Sequence, residues 1–422
     1  MISEIPAWTM IPFGLLLFLI ASMPFIQKHW WEKYYSHLSA VFAIVAIAYY
    51  GFVRGDWTTP LHTAHEYLSF MAIVVGLYVV SGGIHIQTRG GSTPLVNLTF
   101  LALASVISNL MGTTGASMLL IRPWIRMNKY RITEYHIVFF ILIVSNVSGC
   151  LTPIGDPPLF LGYLKGIPFF WTLEKFWSAW MVVVTLLLGI FFLIDWMNFR
   201  KAPQRVRENE TKDEKWMIQG KRNLVPLAVV LGAVFIKSPI FIRELLMFAA
   251  AGYSYWTTPP MIHESNHFNF HPVKEVGWLF LGIFATMMPA LGYLELHASA
   301  LGLDSPLKFY WVTGLLSGAL DNAPTYLTFL SACLGLNGKT IENPSDILWL
   351  ISQKSLWVEA ISLGAVFFGA MTYIGNGPNL MVKAIAERSG VKVPSFFGYI
   401  FKYSLPILIP VVALVGWIFL RG

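Results

Sequence analysis

Apolar runs about as long as a membrane is thick recur along this chain, divided by short charged clusters. A helical span needs about 20 predominantly apolar residues. A chain built of such runs has to bury them in lipid or against one another. Of the 422 residues, 56% are hydrophobic and 12% are charged, against about 25% charged in soluble domains. That balance excludes a soluble enzyme, a disordered chain and a secreted disulfide scaffold. The 16 Trp and 17 Tyr suit the membrane–water interface. The net charge of +7 does not point to nucleic acid, because the basic residues sit in short clusters between apolar runs. Cys150 and Cys333 lie in apolar surroundings. They form neither a disulfide framework nor a thiolate metal site, and no cofactor or resident metal is expected.

Ten spans are expected, at about 8–25, 36–53, 66–86, 136–165 and 174–198, then 222–239, 241–260, 276–294, 354–388 and 396–420. No basic residue precedes the first run, only Glu4, so it reads as a retained span rather than a cleaved leader. A polar stretch at 199–221 separates a first half, 1–198, from a second, 222–422. It carries the largest cluster of basic residues, including Arg200, Lys201, Arg205, Arg207, Lys212, Lys215 and Lys221, with Arg222 just beyond it. The positive-inside rule places this linker in the cytoplasm. Counting spans outward then puts Lys28, Lys33, Arg122, Arg126, Lys129, Arg131, Lys274, Lys383, Arg388 and Lys392 inside as well. Both termini face out, and the chain is expected to cross the inner (plasma) membrane many times.

Two further apolar segments, about 94–121 and 306–336, are interrupted in the middle, at Ser108–Gly115 and at Asp321–Thr325. Both read as re-entrant helical hairpins, since full spans would break the topology parity. Each half also has a break inside its fourth span. One reads Thr152-Pro153-Ile154-Gly155-Asp156-Pro157-Pro158 and the other Thr372-Tyr373-Ile374-Gly375-Asn376-Gly377-Pro378. The parts come in the same order in both halves, and five spans per half invert the second relative to the first. The expected fold is an all-α polytopic membrane protein. It is an inverted repeat of two five-span halves, each with a re-entrant hairpin and a broken transmembrane helix. In secondary transporters, breaks of this kind build the substrate and ion site near the midplane.

These breaks, SNLMGTTGAS, LDNAPTYL, TPIGDPPLF and TYIGNGPNLM, make the chain resemble the ion transporter superfamily over essentially its whole length. That superfamily includes arsenite pumps, citrate and divalent-anion carriers and NhaD-type sodium/proton antiporters. The stretches Asp321–Pro324, Gly155–Pro158 and Gly282–Leu291 look most like the NhaD type. The resemblance implies exchange of Na+ or Li+ for protons by a homodimer in membrane lipid, with scaffold and transport domains. Dicarboxylate carriers of the superfamily carry Ser-Asn-Thr at both hairpin tips. Here Ser108-Asn109 is followed by Leu110.

A carboxylate at membrane depth is costly and marks function, which singles out Asp156 and Asp321. Asn322 is expected to cap the half-helix beside Asp321 and leave that carboxylate free to titrate. The two aspartates would bind either a cation or protons, since the same oxygens serve both. Asn109, Thr113, Thr114, Thr152, Asn322, Thr325, Thr372, Asn376 and Asn379 supply neutral oxygens on the breaks, as hard cations prefer. Glu295 and His297 are candidates for a proton relay, whereas His62, His65 and Glu66 read as solvated. His263-Glu264-Ser265-Asn266-His267 matches H-E-x-x-H, but a zinc protease needs both histidines on one helix. The flanking Pro and Asn argue against such a helix. The leading expectation is therefore a sodium/proton antiporter. The alternatives are a Na+- or H+-coupled carrier of citrate or another carboxylate, and, of other classes, an intramembrane metalloprotease or an ion channel.

Overall fold

A computed structural model describes residues 5–89, 93–203, 215–236 and 238–421. The middle of the linker, 204–214, with Arg205, Arg207 and Lys212, lies outside the described residues, as does Glu4. The chain is built from helices. Eight among the described residues are long and apolar enough to cross a membrane, or nine if a bent pair counts as one. The chain is a polytopic membrane protein. The chain is nearly all helical, as expected; among the described residues one short two-stranded antiparallel sheet, β1 (His85–Arg89) on β2 (Lys215–Gln219), accompanies the helices. The strands tie the chain after α3 to the end of the linker, which puts both on one side of the molecule.

The first helices are α1 (Ile11–Ile26), α2 (Lys28–Ala48) and α3 (Thr58–Gly82). Helices α2 and α3 begin about eight residues before the expected spans, because amphipathic ends such as Lys28–Tyr35 stay helical at the interface. Helix α4 (Pro94–Met127) starts on a Thr93 cap with proline next, a pairing that pre-sets the first turn. It is broken at Gly112, whose φ of 72° and ψ of 154° suit a residue without Cβ. The break folds the element back on itself. Asn97 Nδ2 donates to Asn128 Oδ1 at 2.8 Å and Asn128 Nδ2 to Asn97 Oδ1 at 3.1 Å. An unbroken helix would hold those residues about 46 Å apart.

The fourth span of the first half is α5 (Glu134–Ile143), a 3-10 turn at Val147–Leu151, an extended break, and α6 (Pro157–Lys165). Helix α7 (Trp171–Lys201) leads to the linker. The next two helices, α8 (Leu224–Ala233) and α9 (Ile242–Thr257), are shorter than the expected spans 222–239 and 241–260. A short α10 (Pro260–Ser265) and a long α11 (His271–Leu296) follow.

The second doubled-back element is α12 (Pro306–Ala319) and α13 (Asn322–Gly335), parted by two extended residues. Phe309 and Phe329 meet across the turn at 6.2 Å between ring centroids. Helices α14 (Pro344–Gln353) and α15 (Ser355–Phe368) meet at 101°. A 3-10 turn at Gly369–Met371, an extended break and α16 (Gly377–Arg388) repeat the pattern of the first half. The chain closes on α17 (Phe396–Tyr399), a π-helical stretch and α18 (Ile409–Phe419).

Helices α1, α2, α3, α9 and α11 pack on one another, with Phe70 stacked on Phe280 at 4.5 Å. The hairpins and broken helices pack together as a second group, most closely α12 on α15.

Candidate functional site

The breaks recur as hydrogen-bonded structures as well as in sequence. Thr152 Oγ1 donates to Asn109 O at 2.6 Å, and Thr372 Oγ1 donates to Gly318 O at 2.6 Å. Each threonine also accepts its own glycine's N–H, from Gly155 at 3.1 Å and from Gly375 at 3.2 Å. Ser108 Oγ reaches Val144 O and Ser317 Oγ reaches Ala365 O. This geometry matches Ser108 with Ser317, Gly112 with Asp321 and Thr113 with Asn322.

The same register brings all four breaks to one carboxylate. Asp156 is 1% exposed. It occupies the N-cap position of α6, yet its side chain makes no cap bond. Thr113 Oγ1, from the first hairpin break, donates to Asp156 Oδ1 at 2.7 Å. Asn376 Nδ2, from the second broken span, donates to the same oxygen at 2.9 Å. Asn322 Nδ2, from the second hairpin break, donates to Oδ2 at 2.6 Å. Each donor is at or beside the first residue of a half-helix. Among the described residues no Lys, Arg or His lies within ion-pair distance of Asp156. A buried carboxylate held only by neutral donors is ready for a proton or a cation.

Two more oxygens face this region. Asn322 Oδ1 and Asn146 Oδ1 are buried and have no hydrogen-bond partner among the described residues. A Cβ built on Gly369 would lie 3.1 Å from Asn146 Oδ1 and 3.2 Å from Asn322 Nδ2, so the two amides line one space. Unpaired buried acceptors carry a desolvation cost that a bound cation removes. A cavity of about 40 Å³ opens beside Asp156, lined by Thr113, Thr114 and Gly155 and walled by Leu77 and Phe160. It has room for a few waters.

The remaining candidates divide by role. Asp321 caps α13 by accepting from Ala323 N at 3.0 Å, while Asn322 turns to Asp156. The expected roles of these neighbours are therefore exchanged. Thr325 Oγ1 bonds back to Asp321 O. Asn379 satisfies the broken span, donating to Gly369 O and Thr372 O and accepting from Asn146. Asn109 does the same in the first half through Leu151 N and Ser105 O. Thr152 and Thr372 clasp the breaks as described.

Glu295 and His297 do not form a relay. Glu295 anchors the loop after α13 through Ser331, Thr340 and Ile341 N, and exposed His297 stacks on Tyr293. Glu66 is not solvated; it is buried and pairs with Lys165 at 3.0 Å. His263 ends on short α10, and His267 lies beyond it with φ of 45°, so the two histidines do not share a helix face. Asn146 was not singled out from the sequence, although a Ser-Asn pair inside the apolar run 136–151 is a signal that marks it.

A family model described as "Putative citrate transport" matches residues 2–420. An "uncharacterized transporter" of Mycobacterium tuberculosis is 25% identical over 355 residues, 79% of this chain and 79% of its own. A "46 kDa membrane protein" of Mycobacterium leprae is 24% identical over 423 residues, 94% of this chain and 90% of its own. An "uncharacterized transporter" of Mycobacterium bovis is 23% identical over 376 residues, covering 83% and 84%.

Proposed function

This chain belongs to the "Putative citrate transport" family, and on that premise we propose that it is a secondary carrier of a citrate-class carboxylate, driven by a proton or sodium ion loaded at Asp156. The observation that carries the reading is the meeting of four chain breaks on one buried carboxylate with no cationic partner. Paired discontinuous helices are where secondary transporters hold their cargo. Asp156 would take a proton or Na+, with Asn146 Oδ1 and Asn322 Oδ1 completing the shell of the cation. Asp321 positions Asn322 by capping α13. The two halves act as an inverted repeat, with the hairpins and broken helices moving as a unit. Termini outside, the linker in the cytoplasm, an inner-membrane location and a homodimer belong to the same proposal.

A second reading is sodium(lithium)/proton antiport with no carboxylate cargo. It is favoured by the absence of any Lys or Arg on the four breaks. Purified protein in liposomes separates the two. Labelled citrate is expected to enter on an imposed H+ or Na+ gradient. A pH change on Na+ addition, with no citrate uptake, would establish the antiporter instead. Asp156→Asn is expected to abolish coupled transport; unchanged transport in that variant would refute the site.

A further inference from the structure

Arg122 stands on α4 a little more than one turn before its end, half-buried beside a small cleft of about 10 Å³. The cleft is bordered by Tyr78, Ser81, Met118 and Phe268. The guanidinium makes one long bond, 3.5 Å, to Met118 O of its own helix. Among the described residues no carboxylate pairs with it, and the charged groups that bear on it are two more guanidiniums, Arg126 and Arg388. Ser81 is 2% exposed, and its hydroxyl has no hydrogen-bond partner among the described residues. Tyr78 and Asn266, by contrast, are satisfied by Asn269 O and by Gly82 O and Ile84 O.

The cleft adjoins the cavity beside Asp156. Tyr78 lines both. A Cβ on Gly115, which lines the Asp156 cavity, would lie 2.9 Å from Ser81 Oγ, so that hydroxyl stands on the partition. A guanidinium without an acid, sharing a cleft with an unpaired hydroxyl next to the Asp156 cavity, matches one ligand chemistry. A carboxylate accepts two parallel bonds from the guanidinium fork.

We propose that Arg122 and Ser81 form a carboxylate subsite at the mouth of the path to Asp156, on the face that carries the paired strands. The Arg122 fork takes one carboxylate of the solute, and the Ser81 hydroxyl donates to it as it passes toward Gly115. The positive charge missing from the breaks is thereby supplied at the entrance. This inference rests on the reading above that the solute is a carboxylate.

The test uses full-length protein carrying Cys150→Ala and Cys333→Ala, with Met118→Cys as a reporter in the cleft wall. Labelling by a maleimide is followed with citrate, succinate, inorganic phosphate or chloride at equal ionic strength, and citrate uptake is measured in parallel. Citrate and succinate are expected to slow labelling several-fold with Arg122 present and not in Arg122→Gln. Arg122→Lys, which keeps the charge but loses the fork, is expected to fall between and serves if the Gln variant fails to fold. Arg122→Gln is also expected to raise the KM for citrate more than it lowers kcat. Equal protection without Arg122, or none from any carboxylate, overturns the subsite. Protection by phosphate alone overturns it in favour of a phosphate group, free or on a lipid. Arg122-dependent protection without citrate uptake retains the subsite and fails the carrier reading. Uptake without such protection does the reverse.

Discussion

Asp156 and Asp321 carry the same side chain at the same kind of position, the residue before a half-helix, and the fold gives them different work. Asp321 caps its own helix, whereas Asp156 leaves its cap position empty and collects donors from three other segments. Asparagine caps as well as aspartate does, so Asp321→Asn is expected to retain most transport while Asp156→Asn loses it. Flux measured in proteoliposomes checks this, and equal losses in the two variants would refute the division of roles. The glycines of the broken spans yield a second expectation. A Cβ on Gly375 would lie 2.6 Å from Gly369 O, and one on Gly155 would strike Gly149 O. Gly375→Ala is therefore expected to cost about 1–3 kcal/mol through overpacking, read as a lower thermal midpoint in detergent. Asp56, in the loop before α3, gives a pH-dependent case. The Thr58 hydroxyl at 2.6 Å, then that of Thr59, lower its carboxyl to about 2 from the ordinary 3.8. A depressed carboxyl stabilises above its ordinary value and loses that contribution as pH falls through about 2. Asp56→Asn should remove that part of the acid sensitivity in a thermal-melt series, and an unchanged series would contradict it.

At the scale of elements, the two doubled-back segments are held at their open ends as well as at their breaks. Asn97 and Asn128 clasp the ends of α4, and Asn97 also donates to buried Asp195 at 3.0 Å. Asn97→Leu leaves both partners short of a bond and is expected to cost about 1–3 kcal/mol. Thr93→Cys and Lys129→Cys, on either end of α4, should react with an impermeant thiol reagent from the same side of the membrane. Reaction from opposite sides would mean that α4 crosses it. The breaks themselves were legible because Gly, Asn, Asp and Pro at membrane depth have no apolar reading. Their register was not. The fold matches Gly112 with Asp321, because the hydrogen bonds that close the breaks, and not side-chain identity, set the register. Asp321 and Asn322 were misassigned for a related reason. Either can cap, and only the packing of α13 against α6 decides which one faces Asp156. Orphaned oxygens such as Asn146 Oδ1 become visible only once three dimensions show what lies opposite them.

At the scale of the whole molecule, the group of α1, α2, α3, α9 and α11 meets the group of hairpins and broken helices along the cavity beside Asp156. The boundary between the two groups is also crossed by a buried ion pair. Lys165 ends α6, the half-helix that Asp156 begins, and it reaches Glu66 of α3 at 3.0 Å and Glu342 at 2.9 Å. Glu66 and Lys165 are both about 5% exposed. Glu342 also lies 3.5 Å from His62, toward the surface. Removing one member of a buried pair leaves an uncompensated charge and costs about 3–5 kcal/mol, whereas removing both is often nearly neutral. Lys165→Met is therefore expected to lower the thermal midpoint sharply, and Lys165→Met with Glu66→Gln to recover most of it. If α6 moves against α3 during transport, this pair has to part in every cycle. The test is Glu66→Cys with Lys165→Cys in the protein lacking Cys150 and Cys333. A cleavable bifunctional thiol reagent should then stop transport, and reduction should restore it. Full transport in the cross-linked protein would show that α3 and α6 travel together, and would place the moving boundary elsewhere in the bundle.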